Sequence, residues 1–222
     1  ERQANKNIRI NKRLEKKLTN QISKKPENIH IKYKELADVR VELSKSIKII
    51  GKRKESYDLR QLAIKDYNEA LKLKPDYKEA YINRGIAKNY IFDLSGACDD
   101  WVQAFSYEKN EKVKYLLNNK NCFSIYQKLA LLNFQKNNYQ KAINEFSRIL
   151  DIWPERFFIL YKRAQAKIEL KDYEGAISDY TKAIEQNARR ADFYVERANA
   201  KIKIKDNEGA KKDYTKAIEL KP

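Results

Sequence analysis

Few residues of this chain are of the types that carry out catalysis or bind metal ions. His30 is the single histidine, and Cys98 and Cys122 are the two cysteines among 222 residues. One histidine and two widely spaced cysteines do not match a zinc motif. The adjacent acids Asp99 and Asp100 would point in different directions on a helix, and the sequence has no glycine-rich phosphate loop. The sequence therefore predicts a protein that is not an enzyme, with no metal ion or other cofactor.

The two cysteines leave open one covalent link. We expect Cys98 at the start of one helix and Cys122 at the end of the next, each about 12 residues from a turn near residue 110. Two antiparallel helices would place both thiols at the same level, so a disulfide is geometrically sensible in an oxidising compartment. The alternative is a pair of buried free thiols that behave as small apolar residues.

The elements that position these residues follow a fixed period. Small and aromatic residues return after 34 residues: Tyr173, Ala176, Tyr180, Ala183 and Ile184 are matched by Asn207, Ala210, Tyr214, Ala217 and Ile218. A period of this size is typical of a repeat array in which each unit stacks on its neighbours. Apolar residues at i, i+3, i+4 and i+7 in each half predict pairs of amphipathic helices, here called helix A and helix B.

The pattern predicts five helix pairs. The B helices are expected at residues 58–73, 95–108, 138–151, 172–186 and 206–221. Pro75, Pro154 and Pro222 follow B helices because proline cannot continue the helical hydrogen bonds.

Two interruptions of the period predict a division of the chain. Residues 110–120 form an insertion with its own helical pattern, where we expect a bend. At the start, residues 8–25 predict a leading helix that ends before Pro26, followed by an unusually long first A helix. The predicted parts are a basic helical segment, 1–57, a first repeat array with the inserted helix, 58–120, and a second array, 121–222.

A family resemblance rests on residues 161–188, YKRAQAKIELKDYEGAISDYTKAIEQNA, and their copy 34 residues later. This stretch resembles the tetratricopeptide repeat. The resemblance implies an all-α fold, a right-handed α-α superhelix of about five helix pairs plus a leading and an inserted helix. It also implies a concave groove, lined mainly by A helices, that binds a protein or an extended peptide rather than a small-molecule substrate. The predicted role is that of a scaffold for complex assembly.

The resemblance also suggests groove residues. Some tetratricopeptide cochaperones hold a C-terminal carboxylate with lysine, asparagine and arginine from three successive A helices. The matching positions are Lys48 and Lys52 on the first A helix, Asn83 on the second and Lys128 on the third, although Lys52 stands where asparagine is usual. The second array predicts a groove that suits a peptide or a partner helix. Its expected lining residues are Tyr161, Gln165, Glu169, Val195, Asn199 and Lys203.

The charge distribution provides an alternative function. The formal net charge is +17, and residues 1–54 hold 17 Lys and Arg against 6 Asp and Glu. Such a segment could attach the protein to RNA, to an anionic membrane or to an acidic protein surface, or it could be an ordinary solvated surface. Base stacking favours aromatic residues, and residues 1–54 contain one, Tyr33, which disfavours RNA.

The sequence contains few indications of where in the cell the protein is located. No run of 18 apolar residues is present, so we expect a soluble or peripherally attached protein without a transmembrane segment. The chain begins at Glu1 and contains no methionine, which indicates a processed or trimmed N-terminus.

Overall fold

The computed structural model describes residues 2–24 and 27–221, which form twelve α-helices. They are α1 (Arg2–Ser23), α2 (Ile29–Ile49), α3 (Arg53–Leu73), α4 (Lys78–Tyr90), α5 (Leu94–Tyr107), α6 (Glu111–Asn119), α7 (Cys122–Gln135), α8 (Tyr139–Ile152), α9 (Phe157–Glu169), α10 (Tyr173–Gln186), α11 (Ala191–Lys203) and α12 (Asn207–Leu220). The predicted all-α repeat fold is confirmed. Pro26 and Pro222, two of the predicted helix ends, lie outside the described residues.

The chain forms two compact units, Glu1–Cys122 and Phe123–Pro222. In the first unit, α1 packs on α2, and the pairs α2–α3 and α4–α5 are followed by α6, which packs on α5. In the second unit, α8 packs on α9, and the pairs α9–α10 and α11–α12 stack through α10 and α11. Aromatic contacts join α7 to α8, for example between Phe134 and Tyr139. Five helix pairs, a leading helix and one inserted helix result, as predicted.

The turns inside the α4–α5, α9–α10 and α11–α12 pairs have the same structure and similar sequences. In each of these pairs, the second residue after the A helix has positive φ; this residue is Phe92, Lys171 or Lys205. The next residue is an aspartate whose carboxylate accepts a hydrogen bond from the N–H of a glycine three residues later and so caps the B helix. The three bonds are Gly96 to Asp93 at 2.9 Å, Gly175 to Asp172 at 3.0 Å and Gly209 to Asp206 at 2.9 Å.

The core between helices A and B combines one large aromatic residue with a small residue opposite. In the α9–α10 pair, Tyr180 is fully buried against Ala164 and Ala176. In the α4–α5 pair the larger Trp101 is matched by Gly85, where an added Cβ would lie 2.4 Å from the Trp101 Nε1 atom. The helices approach closely because each large ring faces a residue with little or no side chain.

Three sequence-based helix positions need correction. Helix α3 begins at Arg53 rather than at residue 58. Residues 57 and 58 both lie in α3, and the division into 1–57, 58–120 and 121–222 stays a prediction. Helix α1 begins at Arg2 rather than at residue 8. The inserted helix α6 ends at Asn119, and Cys122 is the first residue of α7 rather than the last residue of the insertion. The bend expected near 110–122 stays a prediction.

Candidate interaction surfaces

A buried ion network holds the helices that carry the second groove. The Asp179 carboxylate on α10 accepts hydrogen bonds from Arg163 Nε at 2.8 Å and Nη2 at 2.6 Å. Lys167, one turn further along α9, lies 2.8 Å from the same carboxylate. Arg163 Nη1 also donates to Ser147 Oγ on α8 at 2.9 Å. One arginine therefore ties its own helix pair to the preceding B helix, and a bidentate geometry makes this bond specific.

The same network recurs in two other pairs. Arg197 and Lys201 bind Asp213, and Arg84 and Lys88 bind Asp100, with closest distances of 2.6 Å in both arginine pairs. Arg197 Nη1 reaches back to Thr181 Oγ1 at 3.0 Å, and Arg84 Nη1 reaches Asn68 at 2.7 Å. The burial and ion pairing of the three aspartates were not predicted from the sequence. The available signal was an arginine followed by an aspartate 16 residues later, repeated three times.

The first helix pair departs from this pattern. Arg40 on α2 donates to Asp66 on α3, and the two residues are 26 positions apart rather than 16. The difference shows that α2 and α3 extend beyond a regular pair, so residues near the C-terminus of α2 are out of register with the other A helices. Arg40 also bonds Glu15 on α1 at 2.9 Å. Burial of the Asp66 carboxyl raises its pKa to about 6, although Arg40 opposes the shift.

A groove of about 300 Å³ lies between α2 and α4 in the first unit, with Tyr67 of α3 among its lining residues. Its central polar group is the Asp38 carboxylate, which accepts hydrogen bonds from the Tyr67 hydroxyl and from Asn83 Nδ2 at 2.9 Å. Lys34 Nζ lies 2.7 Å from Asp38 as well. The amide of Asn83, a predicted ligand for a carboxylate, is therefore engaged by a carboxylate of the protein itself.

The other predicted clamp residues are spread over the chain. Lys48 is exposed on the last turn of α2. Lys52 lies beyond the end of α2, immediately before α3, and its ammonium is 3.7 Å from Glu55, so its predicted place on the A helix is wrong. Lys128 is exposed on α7 and belongs to the second unit. The carboxylate clamp stays a prediction.

The residues predicted to line the second groove lie on α9 and α11. Tyr161, Gln165 and Glu169 follow one another at four-residue spacing on α9, and Gln165 Nε2 donates to the Tyr161 hydroxyl at 3.1 Å. The Tyr161 ring stacks on Phe193 of α11 with centroids 5.0 Å apart. Burial of Tyr161 raises the pKa of its hydroxyl. The stacked rings leave little freedom for Tyr161, so this part of the surface is preformed.

The α11 side of this groove is more exposed. Asn199 accepts a hydrogen bond from the Tyr214 hydroxyl at 2.6 Å, and Lys203 is exposed at the end of α11. Val195 is half-buried and lines a separate cavity between α11 and α12. The structure therefore places the six predicted residues on α9 and α11, with Val195 and Asn199 both next to Tyr214 of α12. A groove formed by all six stays a prediction.

Aromatic rings and one cation continue this surface. The Lys162 ammonium lies 5.6 Å from the ring centroids of Tyr161 and Phe158 and 5.7 Å from that of Phe134 on α7. Beneath Tyr161, the Tyr180 hydroxyl is buried without a hydrogen-bond partner. The equivalent Tyr67 hydroxyl in the first unit is satisfied by Asp38. The two units thus place different polar chemistry at the same position of the repeat.

The cysteines form a disulfide in the first unit. Cys98 of α5 and Cys122 are bonded, with their Cα atoms 5.6 Å apart, and both residues are fully buried. The bond closes the segment that contains α6. It therefore fixes the inserted helix to the preceding repeat.

The solvent side of α1 is strongly basic. Seven Lys and Arg residues of α1 make no ion pair with any carboxylate in residues 2–24 and 27–221; they are Arg2, Lys6, Arg9, Lys12, Arg13, Lys16 and Lys17. Ile10 and Leu14 lie beside them and are 48% and 41% exposed. The described helices include none that is long and apolar enough to cross a membrane. In the same residues, no cluster of His, Cys, Asp or Glu has the composition for a metal site.

Comparisons with known proteins identify the repeat. A family model described as the tetratricopeptide repeat matches residues 123–155, 159–189 and 191–222. A search of curated proteins gave no match.

Several solved structures are similar. The first tetratricopeptide domain of Spaghetti (RPAP3), bound to an HSP90 peptide, is 28% identical over 45% of this chain and 79% of that chain, with a TM-score of 0.43. MamA from Desulfovibrio magneticus RS-1 is 15% identical over 83% of this chain and 94% of that chain, with a TM-score of 0.43. Yeast Sti1, in a complex of its TPR2AB domain with HSP90, is 16% identical over 98% and 90%, also with a TM-score of 0.43.

Proposed function

Because residues 123–222 of this chain are tetratricopeptide repeats, we propose that the protein is a non-enzymatic scaffold that binds another protein through its A-helix surfaces. The main binding surface in this proposal is the face of α9 and α11 that contains Tyr161, Gln165 and Asn199. An extended peptide or a partner helix is the expected ligand.

One observation carries the proposal: the aromatic rings around Tyr161 already pack against one another in the chain alone. Tyr161 stacks on Phe193 and also contacts Tyr180, with centroids 5.7 Å apart. Preformed aromatic groups bind with a small loss of conformational entropy, so they serve well as anchors in interfaces. Lys162, Lys128 and Lys203 add positive charge that favours acidic partners by electrostatic steering.

Selection from a displayed library of short random peptides tests this proposal. Binding of selected peptides should be lost in a variant that combines Gln165→Ala, Asn199→Ala and Lys203→Glu. The matched control is Lys182→Glu, because Lys182 is an exposed residue of the B helix α10. Peptides that bind the groove variant and the wild type equally would show that this surface is not the binding site.

A second candidate function is supported by α1. Its unpaired cations and the neighbouring exposed Ile10 and Leu14 suit an anionic membrane surface, because apolar insertion and charge attraction act together there. Helix α1 has no aromatic residue for base stacking, so membrane lipid is favoured over RNA.

Co-sedimentation with vesicles that contain anionic phospholipid tests the second candidate. Arg9→Glu combined with Arg13→Glu should release the protein from the vesicles, and neutral vesicles should not bind it. Lys211→Glu combined with Lys212→Glu, at two exposed lysines of α12, changes the net charge equally and serves as control. Equal release by both double variants would contradict a specific role of α1.

A further inference from the structure

A lysine without an acidic partner lies in the interior of the second unit's A-helix surface. Lys162 of α9 is half-buried, and it makes no ion pair with any carboxylate in residues 2–24 and 27–221. Its ammonium donates to the side-chain oxygen of Gln165 at 3.0 Å and lies 5.7 Å from the ring centroid of Phe134 on α7. A charge that is partly withdrawn from water is stabilised by a counter-charge, and the described chain provides none here.

The charges along the A helices favour an acidic ligand on the α7 side of α9. Lys128, Lys162 and Glu196 follow one another at the 34-residue period and so occupy the same position of α7, α9 and α11. Lys128 is exposed and, like Lys162, has no ion-pair partner within the described parts of the chain. Charge complementarity therefore places an anionic group of a ligand between α7 and α9, away from Glu196.

An apolar cavity of about 200 Å³ adjoins this cation. Its lining includes Phe123 and Gln127 of α7 and Phe157, Phe158 and Ile159 of α9. Phe158 belongs to both features, because its ring lines the cavity and its centroid is 5.6 Å from the Lys162 ammonium. The cavity has room for one large apolar side chain of a ligand.

The rim of this cavity adds no net charge. Glu155 and Arg156 lie there with opposite charges, 3.8 Å apart. The cavity therefore suits an apolar group, and the nearby lysines suit a carboxylate.

The spacing of the two features fits a peptide in extended conformation. Phe158 and Lys162 are four residues apart on α9, which corresponds to a rise of about 6 Å. In an extended chain, side chains at positions i and i+2 point to the same side and are about 7 Å apart. One residue of such a peptide can enter the cavity while the residue two positions away reaches Lys162.

We propose that the face between α7 and α9 binds an extended segment of a partner protein that carries a large apolar residue and, two positions away, an aspartate or glutamate. In this proposal, which rests on the scaffold function proposed above, the apolar side chain fills the cavity beside Phe158. The carboxylate pairs with Lys162, and Lys128 adds to the attraction. Because the anionic group is a side chain, the segment does not need to be the end of the partner.

Short labelled peptides with amidated C-termini test the spacing. Each contains one leucine and one glutamate among serine and glycine residues, with the two placed one, two or three positions apart, in both orders. Fluorescence anisotropy with the complete chain measures the affinity. In one of the two orders, a spacing of two positions should bind about tenfold more tightly than the other spacings, because both side chains then reach their sites.

A double-mutant cycle locates the carboxylate. Lys162→Gln should weaken binding by about tenfold, and changing the peptide glutamate to glutamine should have little further effect in that variant. Lys162 has no ion-pair partner in the described chain, so this variant is expected to fold, which thermal unfolding checks. Lys182→Gln is the matched control, because Lys182 is an exposed lysine of the B helix α10.

A second cycle locates the apolar residue. Phe158→Ala in the chain and alanine in place of the peptide leucine should each weaken binding, and their effects should not add. Phe158 is 39% exposed, so its loss is not expected to unfold the second unit. Phe92→Ala is the matched control, because Phe92 is also exposed but belongs to the first unit.

The possible results separate this ligand from the scaffold function. Equal affinities at all three spacings, or unchanged binding by Lys162→Gln, would overturn the proposal. Binding that requires a free C-terminal carboxylate would overturn it as well and would assign the lysines to a chain end. If peptides from the random library bind and these peptides do not, the ligand proposed here is wrong and the scaffold function stands. If neither set binds, both proposals are wrong.

Discussion

The α2–α3 pair of the first unit and the α9–α10 pair of the second use the same ion pair in different surroundings. In α9–α10, the buried Asp179 has two cationic donors, Arg163 and Lys167. In α2–α3, Arg40 is the one cation that pairs with Asp66 among the described residues, and Arg40 is shared with Glu15 of α1. A second donor offsets more of the cost of desolvating a buried carboxylate, so we expect Asp179 to be better stabilised than Asp66.

The largest expected effect comes from removing the Asp179 carboxylate of the α9–α10 pair. Asp179→Asn leaves Arg163 and Lys167 largely buried without a counter-charge, which should reduce the free energy of unfolding by about 3 kcal/mol. Asp66→Asn should reduce the free energy of unfolding by a smaller amount, because Arg40 still has Glu15 as an ion-pair partner. Denaturant unfolding, with amide hydrogen exchange resolved along the chain, measures each unit. Equal losses in the two variants would contradict the role given to the second donor.

The disulfide provides the next comparison, because only the first unit contains one. Replacing both Cys98 and Cys122 by alanine should reduce the free energy of unfolding by roughly 3 kcal/mol. This is the value that the loop-closure entropy of the unfolded chain gives for a loop of this length. Faster amide exchange is expected in α5 and α6, whereas α9 to α12 should exchange as before. Thiol labelling of the unfolded, unreduced wild-type chain is the prior check, since two reactive thiols would rule out the bond.

The packing of Trp101 distinguishes the α4–α5 pair from α9–α10. Gly85→Ala should destabilise the first unit by about 1 to 3 kcal/mol, because the added Cβ overlaps the Trp101 ring. The combination Gly85→Ala with Trp101→Tyr reproduces the Ala164 and Tyr180 pair of the second unit. Thermal unfolding should show that the double variant loses less than the sum of the single losses. Strict additivity would mean that the two positions do not compete for space.

The smallest expected effect is a difference in pH dependence. Asp66 has a folded pKa of about 6, above the value near 3.9 expected when unfolded, so the folded state binds its proton more tightly. The stability of the wild type relative to Asp66→Asn should therefore rise by about 1 kcal/mol as the pH falls from 7 to 5.

Asp213 should behave in the opposite way. Burial opposes its ionisation, but hydrogen bonds from Arg197 and Lys201 outweigh burial and lower its pKa. Its contribution to stability is present above about pH 4, near the unfolded pKa, and is lost as the pH falls through the lowered folded value. Unfolding free energies of both asparagine variants across this pH range provide the measurement. If the stabilities of the two variants changed with pH in the same direction, the opposite pKa shifts of Asp66 and Asp213 would be contradicted.

Several features of the fold and of the candidate surfaces were predictable from local sequence. The aspartate and glycine of each turn, such as Asp172 and Gly175, recur with the period and act only on nearby backbone. Four of the B helices begin and end within one residue of their predicted positions; they are α5, α8, α10 and α12. Helix α3 was predicted less well, because its first residues follow no period and are held by α2.

The groove residues show the limit of the same method. Spacing predicted that Tyr161 and Gln165 lie on one helix face, and in the structure their side chains are hydrogen-bonded. It could not predict that the Tyr161 ring stacks on Phe193. It also aligned Lys52 with an A helix, because a constant period does not register the extra length of α2 and α3. Spacing could not predict that Val195 lines a cavity between α11 and α12.

The sequence by itself determined the helical repeat and its period. These properties depend on residues a few positions apart, whose relative placement the helix geometry dictates. Only the tertiary structure decided which charges are buried, and that Asn83 binds Asp38. Those properties depend on contacts between helices far apart in sequence, where packing and desolvation determine the surroundings of each side chain.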